Sequence, residues 1–286
     1  MPLPDLSKYE KFQDLTNGRV RYYELGSGTN HTLLLHGMGY YTSADTFQYV
    51  IEELGQHLHI LAPDYLGFGK STRKLEHGPT FDVIVDSLRE FMDVKGIERA
   101  DLVGHSAGAW FGLLLAYESP DRLRKLISIG GAGMNTPPYR GGVRPTRERI
   151  ANSVSGSVFD GSALTPDLAE PQIEQMAAYA TAPDAFEGLA PLIDQMENAE
   201  KRKQYLLHRR LPHIKTPTMV MWGKGDTMDP YPTWTEEYER LNGDMSKSSK
   251  PWTIPGAKYV MTPGGHNSHW ETPQLFIKHV LEFLNE

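Results

Sequence analysis

Hydrophobic and polar positions follow two different periods along the first half of the chain. Short apolar runs typical of buried strands lie at residues 20–25, 32–35, 58–62, 100–103 and 126–129. Between them, residues 82–94 repeat apolar side chains at helical spacing, and residues 107–117 form a small, apolar helical run. Strands that alternate with helices predict an α/β fold, in which helices cover both faces of a mostly parallel sheet.

The pattern changes after Gly133. Residues 135–212 are rich in Pro, Ala, Glu, Gln and Met, and helical spacing recurs at 168–179 and 191–203 without a clear strand. We therefore interpret residues 135–212 as a helical insertion.

The strand pattern resumes after this insertion. Strand-like runs lie at residues 217–222 and 252–261, and an amphipathic helix follows at 273–283. The sequence thus predicts a core domain of residues 1–134 and 213–286, with residues 135–212 as a helical cap, or lid.

Composition narrows the classes of function. The 286 residues carry a formal net charge of −7, which argues against a nucleic-acid partner because phosphate binding needs a clustered basic surface. The chain has no Cys, which excludes disulfides and a Cys nucleophile and fits a cytoplasmic location. No stretch approaches the roughly 20 apolar residues of a membrane-spanning helix, so we expect no membrane partner. The sequence leaves a homodimer open.

The sharpest chemical signal is Gly104-His105-Ser106-Ala107-Gly108, which stands between a strand-like run and a helical run. This is the setting of a nucleophile elbow, a strained turn that lifts a serine hydroxyl towards the substrate. Flanking glycines are needed because side chains there would collide with the neighbouring backbone. We therefore predict that Ser106 is a nucleophile.

A serine hydroxyl needs a base, and the base needs an orienting acid. Asp226 and Asp229 follow the strand-like run 217–222, where open α/β sheets collect functional groups. His266 and His269 stand in the loop before the final helix. The spacing of these histidines is also metal-like, but no further ligand stands at a recognisable distance, so we expect no metal.

The segments HGMG, DYLGFGKS, GHSAG, WGKGDTMDP and GGHNSHWETP occur in this order, and together they resemble the α/β-hydrolase superfamily over nearly the whole chain. The most similar members have a Ser nucleophile and a helical cap after the sixth strand. They are the small esterases and the meta-cleavage-product hydrolases, which break carbon–carbon bonds. Related dehalogenases and epoxide hydrolases carry Asp at the nucleophile position, where this chain has Ser106.

The resemblance implies a catalytic triad of Ser106, Asp226 and His266. The superfamily's GxxDxxxP pattern favours Asp226 over Asp229 as the acid, and its Gly-His pattern favours His266 over His269 as the base. The implied order of Ser, acid and His along the chain is the one that these enzymes share.

The resemblance also implies an oxyanion hole formed by the backbone N–H groups of Met38 and Ala107. His36 is expected to hold the loop that carries Met38. The residues predicted to line the substrate pocket are Gly37, His105, His269, Met176 and Phe186.

We expect a small-molecule substrate and no cofactor. The first hypothesis is hydrolysis of small to medium carboxylic esters through an acyl-enzyme. The second is carbon–carbon hydrolysis of dienoate ring-cleavage products, which similar enzymes perform with a cap arginine for the substrate carboxylate. The predicted cap offers four candidates for this role: Arg144, Arg147, Arg149 and Arg202.

Two departures weaken the carbon–carbon hypothesis. Those hydrolases usually carry Asn before the nucleophile and Trp after the catalytic His, whereas this chain has His105 and Asn267. A third hypothesis belongs to another class, a small-molecule receptor that retains the triad and turns over slowly, as some relatives do.

Overall fold

The computed structural model of the chain describes residues 3–134, 143–156, 166–227, 231–250 and 253–286. Within these ranges, eight strands form one sheet: β1 (Glu10–Leu15), β2 (Gly18–Leu25), β3 (His31–Leu35), β4 (His59–Pro63), β5 (Ala100–His105), β6 (Leu123–Ile129), β7 (Thr218–Gly223) and β8 (Lys258–Thr262). Each predicted strand run corresponds to one of these strands, although β8 is shorter than the predicted run 252–261.

The helices in the same ranges are α1 (Ile51–Leu54), α2 (Phe81–Val94), α3 (Ala107–Glu118), α4 (Arg147–Gly156), α5 (Pro166–Thr181), α6 (Ala185–Gly188), α7 (Ala190–Glu197), α8 (Ala199–Lys203), α9 (Tyr231–Arg240), α10 (Ser268–Glu271) and α11 (Pro273–Asn285). The predicted helix at 191–203 is two helices, because the Asn198 backbone is extended and its side chain caps α8. The sequence pattern did not predict α4 or α9, which are rich in polar residues. Among all these helices, none is long and apolar enough to cross a bilayer.

The strand order is β1-β2-β4-β3-β5-β6-β7-β8. The pairs β1–β2 and β2–β4 are antiparallel, and all pairs from β4 to β8 are parallel. The predicted α/β-hydrolase fold is therefore confirmed. Because parallel strands end at the same edge of the sheet, the loops after β3, β5, β7 and β8 converge there.

Successive side chains of the central strands point to opposite faces of the sheet and pack into two apolar cores. Leu33, Leu35 and Leu102 pack in the core on the α2 and α3 face. Leu34 and Val103 pack in the core on the opposite face, which α1 and α11 cover. Edge strand β1 was not predicted from an apolar run, because all of its residues are half-buried or exposed.

The segment between β6 and β7 supplies helices α4 to α8, and no strand occurs in its described part. Buried side chains of α4 and α5, including Val154 and Met176, join the core that contains α2 and α3. These helices lie where the helical insertion was expected. That residues 135–212 form a separate cap with these bounds stays a prediction.

Candidate active site

Ser106 occupies the sharp turn between β5 and α3. Its backbone angles, φ 54° and ψ −118°, are unfavourable for a residue with a side chain. Backbone hydrogen bonds hold this strained geometry from both sides: Ser106 N donates to Ile129 O at 2.8 Å, and Ala132 N donates to Ser106 O at 3.1 Å. The turn is therefore fixed to β6, the neighbouring strand, and the Ser106 side chain remains partly exposed.

The two glycines of the elbow are required by close backbone approach. A Cβ atom at Gly104 would lie 2.6 Å from Ala109 N, inside the first turn of α3. A Cβ atom at Gly108 would lie 2.2 Å from Leu35 O, at the end of β3. Both positions exclude any larger residue, as the motif implied.

The structure brings Asp226 and His266 together at the ends of neighbouring strands. Asp226 follows β7 and its side chain is fully buried, while His266 follows β8 and remains 15% exposed. His266 Nδ1 donates to Asp226 Oδ2 at 2.8 Å. This contact leaves Nε2 as the ring nitrogen available to a second partner. Asp229, the rival acid, lies outside the described residues.

A buried carboxylate braces the backbone on both sides of His266. Glu271 accepts hydrogen bonds from Gly265 N at 2.8 Å and from Asn267 N at 3.2 Å. Hydrogen bonds from neutral donors to a charged acceptor are stronger than bonds between two neutral groups. Glu271 therefore fixes the loop that carries His266.

A cavity of about 100 Å³ opens at Ser106, and His266 also lines it. Of the residues predicted for the pocket, Gly37, His105 and Met176 line this cavity. The other two lie outside its lining. His269 is fully buried with Nε2 at 3.1 Å from Thr46 Oγ1, and Phe186 stacks on Tyr40 with ring centroids 4.9 Å apart.

The loop after β3 runs beside Ser106. A Cβ atom at Gly37 would lie 3.2 Å from Ser106 Cβ, so the Gly37 backbone packs directly against the elbow. Met38, the next residue, lines the cavity. Ala107 begins α3, in the turn where helix N–H groups lack an intrahelical acceptor.

His36 holds this loop from beneath. Its Nδ1 donates to Gly37 O at 2.7 Å, and its carbonyl accepts the Tyr65 hydroxyl at 3.0 Å. Burial lowers the pKa of His36 to about 3, so the ring is neutral at physiological pH. Because the neutral His36 ring is hydrogen-bonded to the loop backbone, we interpret His36 as a structural support for the loop.

Two further histidines pack beside His266. The His105 and His269 rings lie 4.6 Å apart, and His105 Nε2 donates to the His266 carbonyl at 3.1 Å. Burial lowers the pKa of His269 to about 3 and that of His105 well below its ordinary value. Both rings therefore stay neutral beside the predicted base.

Several residues of the cavity wall were not predicted from the sequence. Tyr41, Thr42 and Thr46 reach it from the loop after β3, and Trp270 reaches it from α10. Their only sequence signal is proximity to the HGMG and GGH motifs. Because loop conformation decides which of these side chains face the cavity, spacing alone does not identify them.

The four arginines considered for a substrate carboxylate do not line the cavity. Arg144 and Arg147 form exposed ion pairs with glutamates of α5 and α6. Arg149 is exposed, and Arg202 is buried on α8. In the cavity wall, the described residues include no Arg or Lys at all.

Comparison with known proteins identifies the family of the chain. The sequence model of the family described as alpha/beta hydrolase fold matches residues 30–273. The chain belongs to this family. The family assignment confirms the predicted superfamily and the prediction of a hydrolase enzyme.

Two curated proteins that resemble this chain are each 28% identical to it. One is a 2-hydroxy-6-oxononadienedioate/2-hydroxy-6-oxononatrienedioate hydrolase of Paraburkholderia phymatum, and the alignment covers 95% of this chain and 92% of the relative. The other is a 2-hydroxymuconate semialdehyde hydrolase of Pseudomonas sp. (strain CF600), with coverage of 94% and 91%. The solved structure of a serine hydrolase involved in carbazole degradation is similar to this chain, with 25% sequence identity and a TM-score of 0.77. The superposition covers 96% of this chain and 98% of that hydrolase.

Proposed function

We propose that the chain is a serine hydrolase in which Ser106 is the nucleophile, His266 the general base and Asp226 the acid that orients His266. The observation that supports this proposal most directly is the buried Asp226–His266 contact of 2.8 Å at the end of the sheet that also carries Ser106. Ser106 and His266 line one cavity, as a nucleophile and its base must.

In the proposed first step, the Ser106 hydroxyl attacks the carbonyl carbon of an ester while His266 accepts the hydroxyl proton. Backbone N–H groups of Met38 and Ala107 stabilise the oxyanion, and loss of one such donor typically costs about 10²–10³ in rate. His266 then protonates the departing alcohol. Water activated by His266 releases the acid and regenerates Ser106.

We further infer that the substrate is a small, uncharged ester. The cavity has a volume of about 100 Å³, and none of its described lining residues is Arg or Lys. A substrate carboxylate removed from water needs a charged or hydrogen-bonding partner, whereas a neutral ester does not. Drug-sized ligands occupy pockets of roughly 300–1,000 Å³, so the cavity volume favours a short substrate.

A substrate panel tests this proposal. We expect p-nitrophenyl esters of rising chain length to be hydrolysed fastest at short length, and a ring-cleavage dienoate to be cleaved slowly. Replacing Arg144, Arg147 or Arg149 singly by Leu should leave ester turnover within a few fold, because exposed charges contribute little. Fast dienoate cleavage by the unmodified enzyme would contradict the ester assignment.

Carbon–carbon hydrolysis is the second candidate, and the comparisons favour it, because the curated relatives are named as hydrolases of dienedioate and muconate semialdehyde compounds. The candidate requires one cap arginine to be indispensable. None of the four arginines lines the cavity at Ser106, and Arg202 is the one that is buried with no hydrogen-bond partner at Nε and Nη1, so Arg202→Leu is the variant to test. Dienoate cleavage by the unmodified enzyme, together with its loss in Arg202→Leu at a cost of roughly 2–5 kcal/mol in the activation barrier and an unchanged melting temperature, would support this second function.

A further inference from the structure

Asn267 follows the predicted base His266 and lines the same cavity as Ser106. Its exposed fraction is only 4%, so the part of the side chain that remains accessible faces this cavity. The Asn267 amide makes no hydrogen bond with any residue in the described part of the chain. A polar side chain that is buried, unpaired and open to a cavity calls for a ligand group that pairs with it.

The usual structural role of an asparagine at this position is not used. Asn267 stands at the N-cap of α10, where an asparagine side chain ordinarily accepts a backbone N–H of the first turn, but it makes no such bond. The Asn267 backbone shapes the turn instead: its N–H donates to Glu271 at 3.2 Å, and its carbonyl accepts Trp270 N at 2.8 Å. Other residues could supply the same backbone bonds, so the turn itself does not require an amide side chain.

The neighbouring polar groups of the cavity wall are already paired. Four side chains of the described wall are hydrogen-bonded within the protein: Tyr41 to Ser153 at 2.9 Å, Thr42 to Gly37 O at 3.0 Å, Thr46 to His269 at 3.1 Å and Trp270 to Thr46 O at 2.6 Å. His105 Nδ1 has no partner, but this atom is buried out of reach of a ligand. In the described wall, the Asn267 amide is therefore the group best placed to bind a ligand.

The charges around Asn267 define which ligand group suits it. Asp226 and Glu271 are buried behind the loop that carries Asn267, and none of the described lining residues is Arg or Lys. An anionic group would find no positive partner there. An amide offers both N–H donors and a carbonyl acceptor, and a neutral hydroxyl group, which donates and accepts, matches it.

The position of Asn267 also indicates which part of the substrate it meets. In the proposed mechanism His266 protonates the departing alcohol, so the alcohol part of the ester lies against His266. Asn267 belongs to the loop of His266, whereas the predicted oxyanion donors, Met38 and Ala107, belong to other loops. This arrangement places the Asn267 amide beside the alcohol part of the substrate.

We propose that Asn267 is a specificity-determining residue that hydrogen-bonds a hydroxyl group on the alcohol part of the substrate. The proposal rests on the proposed function and specifies its substrate class: short esters of diols and of related polyhydroxy alcohols. The chain thus prefers an ester whose alcohol carries a second, free hydroxyl group.

Matched ester pairs test this preference. In each pair a short acid is esterified with an alcohol that ends either in a methyl group or in a hydroxyl group, as in propyl and 2-hydroxyethyl esters, over several chain lengths. We expect kcat/KM to be roughly tenfold higher for the hydroxyl member at one chain length, the effect of about one hydrogen bond. This ratio should fall to about one in Asn267→Leu and in Asn267→Ala.

The ratio separates recognition from support of His266. If Asn267 only positioned His266, both esters of a pair would slow equally and the ratio would persist. The matched control is Asn285→Leu, an exposed asparagine at the end of α11, which should leave the ratio as it is. Asn267→Leu should not lower the melting temperature, because it removes an amide that has no partner.

Three results would overturn the proposal. They are a ratio near one at every chain length in the unmodified enzyme, a ratio that survives both replacements of Asn267, and a preference that appears only when the hydroxyl group is placed on the acid part of the ester.

Failure of this proposal and failure of the proposed function are distinguishable. If esters are hydrolysed and a fluorophosphonate labels Ser106, the proposed function stands whatever the ratio is. If neither occurs, calorimetric binding of the ketone analogue of each ester, in which a methylene replaces the ester oxygen, still tests the role of Asn267. The hydroxyl-bearing ketone should bind about tenfold more tightly than its methyl partner to the unmodified protein and equally to Asn267→Leu.

Discussion

The two walls of the cavity are built in different ways. One wall, the sheet wall, carries Ser106 and His266 in the loops after β5 and β8, and backbone hydrogen bonds and a buried carboxylate fix these loops. On the opposite side, Val154 and Met176 stand on α4 and α5, which reach the sheet side through side chains. The reactive groups therefore stand on the tightly hydrogen-bonded sheet wall. Residues of α4 and α5 that face the substrate can differ in sequence without displacing Ser106 or His266.

The polar link between the two walls is itself buried. Tyr179 of α5 donates its hydroxyl to Asp45, which pairs with Arg21 of β2. Burial raises the pKa of Asp45, but the Arg21 charge and the hydroxyls of Tyr179, Tyr23 and Ser43 outweigh burial and hold that pKa below its ordinary value. Asp45 therefore remains charged and binds α5 to the sheet side.

The largest effect should come from the sheet wall. Ser106→Ala is expected to lower turnover by about 10⁶ while the fold persists, since members of a triad act as one unit. Steady-state kinetics and circular dichroism measure the two parts. A fluorophosphonate should label the unmodified protein once, at Ser106, and near-normal activity in the variant would contradict the assignment.

The choice of acid is tested next, on the same wall. Asp226→Asn should lower turnover by up to about 10⁴, because an amide favours the wrong tautomer of His266. The matched variant Asp229→Asn should do far less. If the second replacement proves the more damaging, the acid has been misassigned.

Three neutral histidines beneath the sheet wall predict a pH-dependent stability. Because burial lowers the pKa values of His36, His105 and His269 below the unfolded value of 6.5, the unfolded chain binds more protons, and stability is complete above pH 6.5 and is lost as the pH falls below it. Between pH 7.5 and 5.5 the free energy of unfolding should fall by roughly 1.4 kcal/mol for each of His36 and His269, and His105 adds to this loss.

Urea unfolding at the two pH values measures this loss. In His269→Gln, whose amide can still bond to Thr46, the loss should shrink by roughly 1.4 kcal/mol, because one titrating ring is gone. An unchanged loss in this variant would show that His269 titrates normally in the folded protein.

The smallest effect should come from the link between the walls. Tyr179→Phe removes a hydrogen bond to a buried charged group, and the free energy of unfolding should fall by about 1.5–3 kcal/mol. Tyr41→Phe, which removes a hydroxyl contact with Ser153 at the edge of the same interface, should lower it less. Equal losses in the two variants would mean that the buried charge adds nothing to the attachment of α5.

Much of the sheet wall could be predicted from the sequence. Apolar runs located seven of the eight strands within the described ranges, and the GHSAG motif between a strand and a helix predicted the turn at Ser106. Strand runs and the GHSAG motif can be recognised from the sequence, because they depend only on local periodicity and on residues adjacent in the chain. The edge strand β1 and the polar helices α4 and α9 lack that periodicity, so they were missed.

What the sequence determined by itself is the fold class, the family and the chemical type and order of the candidate groups. Tertiary structure decided which of them meet: the pairing of Asp226 with His266, the contact of His105 with the His266 carbonyl, and the absence of Phe186 and His269 from the cavity lining. The physical reason is distance along the chain. Partners separated by many residues are brought together by sheet register and helix packing, and these depend on the whole core rather than on any segment of the chain.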